Sequence, residues 1–161
     1  MPDDEISIDD PQAADVRALL ERHLAFATAN TPPEDVHALE ADGLLDPAIT
    51  VFSFRRHGEL LGVGALRLLD RGHAELKSMH TAEAARGRGI GRALVDHLIA
   101  VARDGGIRRV SLETGSTPAF APARSLYTQA GFQPCGPFGD YRPSPNSTFM
   151  TRVLDSPDAT A

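Results

Sequence analysis

Three runs in the middle of the chain have the hydrophobic pattern of β-strands. They are ITVFSF at Ile49–Phe54, LLGVGALRLL at Leu60–Leu69 and HAELKSMHT at His73–Thr81. The first two are rich in β-branched and apolar residues, and the third alternates polar with apolar positions. Gly58 and Gly72 lie in the short polar segments that separate the runs. Runs joined by tight glycine turns in this way predict an antiparallel meander of three strands.

Apolar residues three or four positions apart predict two helices before the meander. The first covers DDPQAADVRALLERHLAFA, with Asp10 as an acidic cap and Pro11 at the first helical position. The segment TPPE at Thr31–Glu34 has the form of a capping box. It predicts a short second helix that ends near Gly43.

The same spacing predicts two helices after the meander. Apolar residues from Ile90 to Ala102 mark one face of a helix that the glycine pair at positions 105–106 ends. A last helix lies within Ala119–Ala130, where Pro122 leaves its first residue open and Gly131 ends it.

Short strands complete the pattern at Glu5–Ile8, Arg108–Thr114 and Ser147–Leu154, and residues 132–146 predict mainly loop because they are rich in proline and glycine. The predicted order is β-α-α-β-β-β-α-β-α-β-β, which is an α+β fold. It contains one β-α-β crossover between the third strand of the meander and the strand that follows the third helix. Such a crossover should be right-handed and should lay its helix on the sheet.

The chain has 161 residues, 42% of them apolar, which predicts a single domain over residues 1–161. We expect an ordered core over residues 5–154 and a frayed tail over residues 155–161. A net charge of −6 argues against a nucleic-acid partner. The sequence has no leader pattern and no apolar run near the roughly 20 residues of a membrane span, so we expect a cytoplasmic protein without a membrane partner.

Two residue types narrow the chemistry further. Cys135 is the single cysteine, which excludes an internal disulfide bond. The six histidines are not spaced as metal-binding pairs, so we expect no metal. These counts leave the oligomeric state open between a monomer and a homodimer.

The sequence RGRGIG at Arg86–Gly91 places three glycines at the start of a predicted helix. A helix N-terminus has N–H groups without intrahelical partners and a positive dipole, so it attracts anions. Glycine lets the backbone approach such an anion closely, and Arg86, Arg88 and Arg92 add positive charge. The motif therefore predicts a phosphate or pyrophosphate site, the alternative being a glycine-rich turn without a ligand.

Two common phosphate loops do not fit this motif. A Walker A loop requires Lys-Ser/Thr after its last glycine, whereas Arg92-Ala93 stands here. A dinucleotide fingerprint counted from Gly87 would place its last glycine where Arg92 stands. The pattern that fits is Arg-x-x-Gly-x-Gly, formed by Arg86, Gly89 and Gly91.

The stretch ELKSMHTAEAARGRGIGRALVDHLIAVARDGGIRRVSLET, followed by ARSLYTQAGF, resembles the GNAT superfamily of acetyl-CoA-dependent N-acetyltransferases. The resemblance covers about residues 5–154, and PFGDYRPSPNSTFM is similar to bacterial YsnE-type acetyltransferases. It implies a GNAT fold, with a mixed, mostly antiparallel twisted sheet of six to seven strands and about four helices. It also implies acetyl-CoA as co-substrate, with cofactor contacts from Met79, His80, Thr81, Arg86, Gly87, Arg88, Gly89, Ile90, Gly91 and Arg92.

The resemblance also implies catalytic residues. The LY…GF signature places Tyr127 near the CoA sulfur, where its hydroxyl would bind the departing thiolate, although a packing role also fits its apolar stripe. Glu75 is the candidate general base and Glu113 its rival, while the resemblance gives the His80 segment mainly a backbone role. Many family members have asparagine seven residues before the tyrosine, where this chain has Phe120, so CoA contacts from that segment are in doubt.

The acyl acceptor would lie across the sheet from CoA. The loop CGPFGDY offers Phe138 and Tyr141 as apolar walls and Asp140 as a partner for a cation, and Glu113 could also contact the acceptor. The sequence thus predicts direct acetyl transfer, in a ternary complex, to a primary amine of a small molecule or peptide. A non-catalytic acyl-CoA-binding module and a regulatory interaction domain remain as alternatives.

Overall fold

The structure of the protein is a computed structural model, which describes residues 3–154. The predicted frayed tail at residues 155–161 lies outside the described residues. Within residues 3–154, no helix has the length and apolar content that a membrane span requires.

The described part of the chain forms one mixed sheet of seven strands. The strands are β1 (Asp4–Ile8), β2 (Ile49–Arg56), β3 (Glu59–Asp70), β4 (His73–Thr81), β5 (Arg109–Gly115), β6 (Gln133–Cys135) and β7 (Ser147–Val153). Their spatial order is β1-β2-β3-β4-β5-β7-β6. Only β4 and β5 pair in parallel, and every other neighbouring pair is antiparallel. The predicted fold class and meander are confirmed, whereas β6 lies in the segment that was predicted to be mainly loop.

Three α-helices accompany this sheet in residues 3–154: α1 (Ala14–Asn30), α2 (Ile90–Asp104) and α3 (Ala121–Gln129). The predicted start of the first helix was wrong by three residues. The side chain of Asp10 accepts a hydrogen bond from the N–H of Gln12 at 2.9 Å, so it stabilises a turn that precedes α1. The helix itself begins at Ala14, after this turn.

The predicted second helix was also wrong. Two 3₁₀ turns, Pro33–Asp35 and Ala41–Leu45, stand in its place and are joined by an extended segment. Thr31 does not form the expected capping box, because the 3₁₀ turn begins after Pro32 without a side-chain cap. The consecutive prolines favour an irregular backbone in this segment.

The helices cover both faces of the sheet. On one face, Leu94 and Leu98 of α2 pack in a core with Phe52, Leu76 and Val110 of the strands. On the other face, the buried residues of α1 pack against neighbouring strand residues, and this second core contains Val16, Leu19, Leu20, Ala41, Leu44, Val51, Val63 and Ala65. This arrangement holds β4 and β5 at the centre of the molecule.

A β-bulge interrupts the alternation of side chains along β4. Ser78 has a φ of +55°, and the register with β3 shifts between Val63 and Ala65. Strict alternation predicted that Met79 would share a face with Glu75 and Lys77, but Met79 packs into the core on the α2 side. One extra residue in a strand reverses the faces of all residues that follow it.

Candidate active site

β4 and β5 pair only at their first residues and then separate. His73 to Glu75 of β4 align with Arg109 to Ser111 of β5, whereas β5 remains paired with β7 as far as Gly115. The second half of β4 therefore leaves a gap next to β5. The two strands therefore splay apart beyond Glu75 and Ser111.

The first turn of α2 is built from glycine. Gly87 has a φ of +78° and Gly89, the N-cap residue, has a φ of +81°. This left-handed region is strained for residues with a Cβ atom. A Cβ atom at Gly91 would lie 3.1 Å from the side chain of Leu126, so the turn also packs closely against α3.

The backbone of this turn presents a group of hydrogen-bond donors. Within residues 3–154, the N–H groups of residues 87–92 have no backbone acceptor. Arg86 and Arg88 are exposed, and Arg92 forms an ion pair with Asp96 at 3.0 Å. N–H donors, the helix dipole and arginine side chains together fit the charge and shape of a pyrophosphate group.

A cavity of about 630 Å³ extends from this turn to α1 and the 3₁₀ segment. It brings together thirteen of the residues that the sequence singled out: Glu75, Met79, His80, Thr81, Arg86, Gly87, Gly89, Ile90, Gly91, Arg92, Glu113, Tyr127 and Tyr141. Arg88, Phe138 and Asp140 do not line it. One continuous space therefore reaches the glycine turn, the gap between the strands and Tyr141.

Tyr127 lies on α3 and lines this cavity. Its side chain is buried and packs edge to face against Phe132, with ring centroids 5.9 Å apart. Burial raises the pKa of Tyr127 far above its usual value, and the nearby Glu113 carboxylate adds to this effect. The hydroxyl group therefore keeps its proton at physiological pH and can donate a hydrogen bond.

Glu113 lies near the end of β5 and also lines the cavity. Burial raises the pKa of its carboxyl group to about 7. The positive charge of Lys77 lowers the pKa and the negative charge of Glu75 raises it, but both contribute less than burial. A carboxyl group that titrates near neutral pH suits general base catalysis at that pH.

Glu75 has a different environment, because it forms a buried ion pair with Lys77 at 3.3 Å. Tyr141, from the loop before β7, donates a hydrogen bond to the Glu75 carboxylate. The ammonium group of Lys77 also donates to the Tyr141 hydroxyl at 3.1 Å. These contacts fix the loop to β4, and burial is the main cause that raises the pKa of Tyr141 above its usual value.

Two histidines meet on the α1 side of the cavity. The Nδ1 atoms of His23 and His80 lie 3.2 Å apart. Burial lowers the pKa of each to about 4, so both rings are neutral at pH 7 and one donates a hydrogen bond to the other. This contact connects the end of β4 to α1.

The model of the acetyltransferase (GNAT) family matches residues 16–132, which is most of the chain. The chain belongs to the GNAT acetyltransferase family. The GNAT resemblance predicted from the glycine motif is thereby confirmed, and the protein is an acetyltransferase.

Two curated proteins are similar to this GNAT chain over most of their length. The N-acetyltransferase YsnE of Bacillus subtilis, named as uncharacterized, is 45% identical over 92% of this chain and 99% of its own. The N-acetyltransferase YedL of Escherichia coli, also named as uncharacterized, is 40% identical over 92% of this chain and 94% of its own. The predicted similarity to YsnE-type proteins is confirmed.

A solved structure shares the fold. The GNAT family acetyltransferase of Elizabethkingia anophelis, crystallised with acetyl-CoA bound, superposes with a TM-score of 0.70. The alignment covers 94% of this chain and 99% of the other, at 18% sequence identity.

Phe120 occupies the position where many GNAT proteins have asparagine. Its ring covers Gly115 at the end of β5 and packs edge to face on Phe26 of α1, with centroids 5.2 Å apart. Phe120 lines the cavity. An apolar ring therefore forms this part of the cavity wall.

Substitution of Gly115 by alanine should destabilise the protein, because the new Cβ atom would collide with the Phe120 ring. Overpacking of this kind costs about 1–3 kcal/mol. Urea unfolding at equilibrium measures the change. The control is Gly72→Ala, at a partly exposed turn position where nothing lies near the new Cβ atom, with an expected change within about 0.5 kcal/mol. Equal stability of the two variants would show that the Phe120 ring moves aside freely.

The residues of the predicted acceptor loop have different positions. Tyr141 lines the cavity, whereas Phe138 packs behind it, with its ring centroid 5.1 Å from that of Tyr141 and 5.9 Å from that of Phe149. Asp140 is exposed and does not line the cavity, which gives no support to its predicted contact with a cation.

Sequence reasoning missed several residues of the site. Lys77, His23 and His37 line the cavity but belong to no motif. The lysine was visible only as one of several polar positions of β4, two residues after Glu75 and therefore on the same face of the predicted strand. Within residues 3–154, no three histidine, cysteine or acidic side chains converge as a metal site would require.

Proposed function

We propose that this acetyltransferase transfers the acetyl group of acetyl-CoA directly to a primary amine of a small molecule or peptide, in a ternary complex. The observation that carries the proposal is the continuous cavity, which is lined at one end by the glycine turn and at the other by Glu113, Lys77 and Tyr141. A single space of this kind can hold donor and acceptor at the same time. The transfer then needs no acetylated side chain.

In this proposal the N–H groups of residues 87–92 and the arginines of the same turn bind the pyrophosphate. The free edge of β4, from Met79 to Thr81, pairs with the pantetheine amides as an added strand would. These contacts place the thioester beside Tyr127, where the gap between β4 and β5 opens.

The reaction forms a bond from the amine nitrogen to the acetyl carbon and breaks the carbon–sulfur bond. One proton leaves the nitrogen for the general base. Tyr127 donates a hydrogen bond to the departing sulfur, and this bond strengthens as negative charge develops there. Its raised pKa makes complete proton transfer from the phenol unfavourable.

Two contacts favour Glu113 over Glu75 as the general base. Glu75 already accepts hydrogen bonds from Lys77 and Tyr141 and is almost fully buried. Glu113 lines the cavity with a pKa of about 7, so at neutral pH a large fraction of it is deprotonated and still basic enough to accept a proton. Glu75 then serves to hold Lys77 and Tyr141 in place.

Substitution of Gly91 by valine should weaken acetyl-CoA binding by about tenfold or more. Its side chain would crowd the side chains of Leu126 and Thr81 beside the turn, and the loss of even one hydrogen bond to a charged group has an effect of this size. Calorimetric titration with acetyl-CoA measures the affinity, and Gly72→Ala serves as the control. A folded Gly91→Val variant that binds acetyl-CoA as tightly as the wild type would overturn the proposed pyrophosphate site.

A further inference from the structure

We propose that the acceptor is an α-amino acid, with Lys77 binding its carboxylate and Glu113 taking the proton of its amine. This inference rests on the proposed function and names the substrate class of the same site. The inference depends on Lys77, whose buried ammonium group lines the cavity.

The strand register places the two residues opposite each other. β4 and β5 pair as His73 with Arg109 and Glu75 with Ser111. Side chains two residues further along each strand point to the same face, and these are Lys77 and Glu113. They therefore stand on opposite sides of the gap where the strands part, and both line the cavity.

The two side chains have complementary charges but do not pair with each other. In the described part of the chain, the only carboxylate within ion-pair distance of Lys77 is that of Glu75. A zwitterion in the gap could present its carboxylate to Lys77 and its amine to Glu113. An α-amino acid has these two groups on a single carbon atom, so it is short enough to lie between two strands that have just separated.

Lys77 retains capacity for such a ligand. An ammonium group has three N–H donors, of which Glu75 and Tyr141 accept two. The side chain of Lys77 is only 6% exposed. A charge-assisted hydrogen bond from a buried, pre-positioned ammonium group is among the stronger contacts that a protein can offer a carboxylate.

The remaining wall of this part of the cavity favours an apolar side chain on the amino acid. Phe26 and Ala27 of α1 and Val36 and Ala38 of the segment after the first 3₁₀ turn line it, beside the polar side chains of Asp35 and His37. The four apolar residues offer surface to which a branched or aromatic side chain gains more than a charged one does. The alternative is that Lys77 binds no ligand and serves only as the counter-ion of Glu75.

The test compares three acceptors that share one side chain: leucine, leucinamide and isoamylamine. Release of the CoA thiol measures kcat/KM for each with the wild-type protein, and mass spectrometry confirms the acetylated product. We expect leucine to exceed both carboxylate-free compounds by about tenfold or more when compared at equal concentrations of free amine. Equal or lower kcat/KM for leucine would overturn the inference.

Two variants test whether Lys77 causes the preference for leucine over the amines that lack a carboxylate. Lys77→Met removes the ammonium group, and the double variant Glu75→Gln, Lys77→Met also removes the buried carboxylate that it would leave unpaired. Circular dichroism and calorimetric acetyl-CoA titration establish that each variant is folded. We expect the ratio of kcat/KM for leucine to that for isoamylamine to fall to about one in any folded variant, and an unchanged ratio would overturn the role of Lys77.

The outcomes separate this inference from the proposed function. Acetylation of all three amines without a preference for leucine would leave the acetyltransfer mechanism standing and remove the amino-acid acceptor. If no amine is acetylated, the same protein is titrated with leucine in the presence of CoA. Leucine binding that depends on Lys77 would support the amino-acid site and contradict the proposed acetyl transfer. Absence of leucine binding would contradict both the amino-acid site and the acetyl transfer.

Discussion

Replacement of Glu113 by glutamine should lower kcat/KM for amine acetylation by about 10²–10³-fold at pH 8, which is within the range typical of a general base. Glutamine has nearly the same volume as glutamate but cannot accept the amine proton. Acetyl-CoA affinity should be nearly unchanged, because the pyrophosphate site lies at the N-terminus of α2. Steady-state kinetics with a good amine acceptor measures the first effect, and calorimetry measures the second.

The same role predicts the direction in which kcat/KM changes with pH. The base acts only when deprotonated, so kcat/KM of the wild type should rise as the pH passes the Glu113 pKa of about 7 and should level off above it. In Glu113→Gln the rise of kcat/KM near pH 7 should disappear. Only the rise caused by deprotonation of the amine substrate should remain. Profiles with two amines of different pKa separate the two ionisations.

Two further variants complete the comparison. Glu83→Gln, on an exposed 3₁₀ turn outside the cavity, should have wild-type activity. If Glu113→Gln kept more than about a third of the wild-type rate while Glu75→Gln lost 10²-fold or more, Glu75 would be the base instead.

Replacement of Tyr127 by phenylalanine should lower kcat by about 10²-fold, at the lower end of acid–base contributions. The substitution removes only the hydroxyl group, and the ring still packs against Phe132 in the core. Single-turnover kinetics at saturating acetyl-CoA measures the chemical step, and urea unfolding should show nearly unchanged stability.

Acyl donors whose thiols differ in acidity provide the matched control for the Tyr127→Phe variant. If the hydroxyl group stabilises the departing sulfur, the loss should be greatest when the acyl donor carries the least acidic thiol. A rate for Tyr127→Phe within about threefold of the wild type, where such roles amount to 10²-fold or more, would mean that Tyr127 is only a packing residue.

The parts of the site that sequence reasoning predicted are those encoded locally. The glycine turn and the first turn of α2 occupy adjacent positions, and the sequence of Arg86–Arg92 contains the conformational and charge requirements of an anion site. Tyr127 was identified because a short signature surrounds it. In both cases the chain positions that act together are close in sequence.

The parts that were missed depend on contacts between distant positions. Lys77 and Tyr141 are 64 residues apart, and nothing in either local pattern indicates that one bonds to the other. The bulge at Ser78 is equally hidden, because a strand pattern specifies alternation but not where the alternation is reversed. Met79 therefore lies on the face opposite to the one that strict alternation would give it.

The failed prediction of a second helix has a local cause. TPPE matches a capping box in letters, but Pro32 and Pro33 restrict the backbone at the positions where the cap would form. The consequence reaches the site, since the irregular segment brings Asp35, Val36 and His37 into the wall of the cavity. A regular helix at the same place would present a different set of side chains to the acceptor.

The central claim is direct acetyl transfer from acetyl-CoA to an amine in the cavity between β4 and β5. Incubation of the wild-type protein with acetyl-CoA labelled in the acetyl group and a panel of amines and amino acids, followed by mass spectrometry of small molecules and protein, tests it most directly. The account predicts labelled N-acetyl product, formed in step with thiol release and strongly reduced in Glu113→Gln, with no labelled protein. Acetyl-CoA binding without any labelled amine, or label that first accumulates on a side chain, would contradict it.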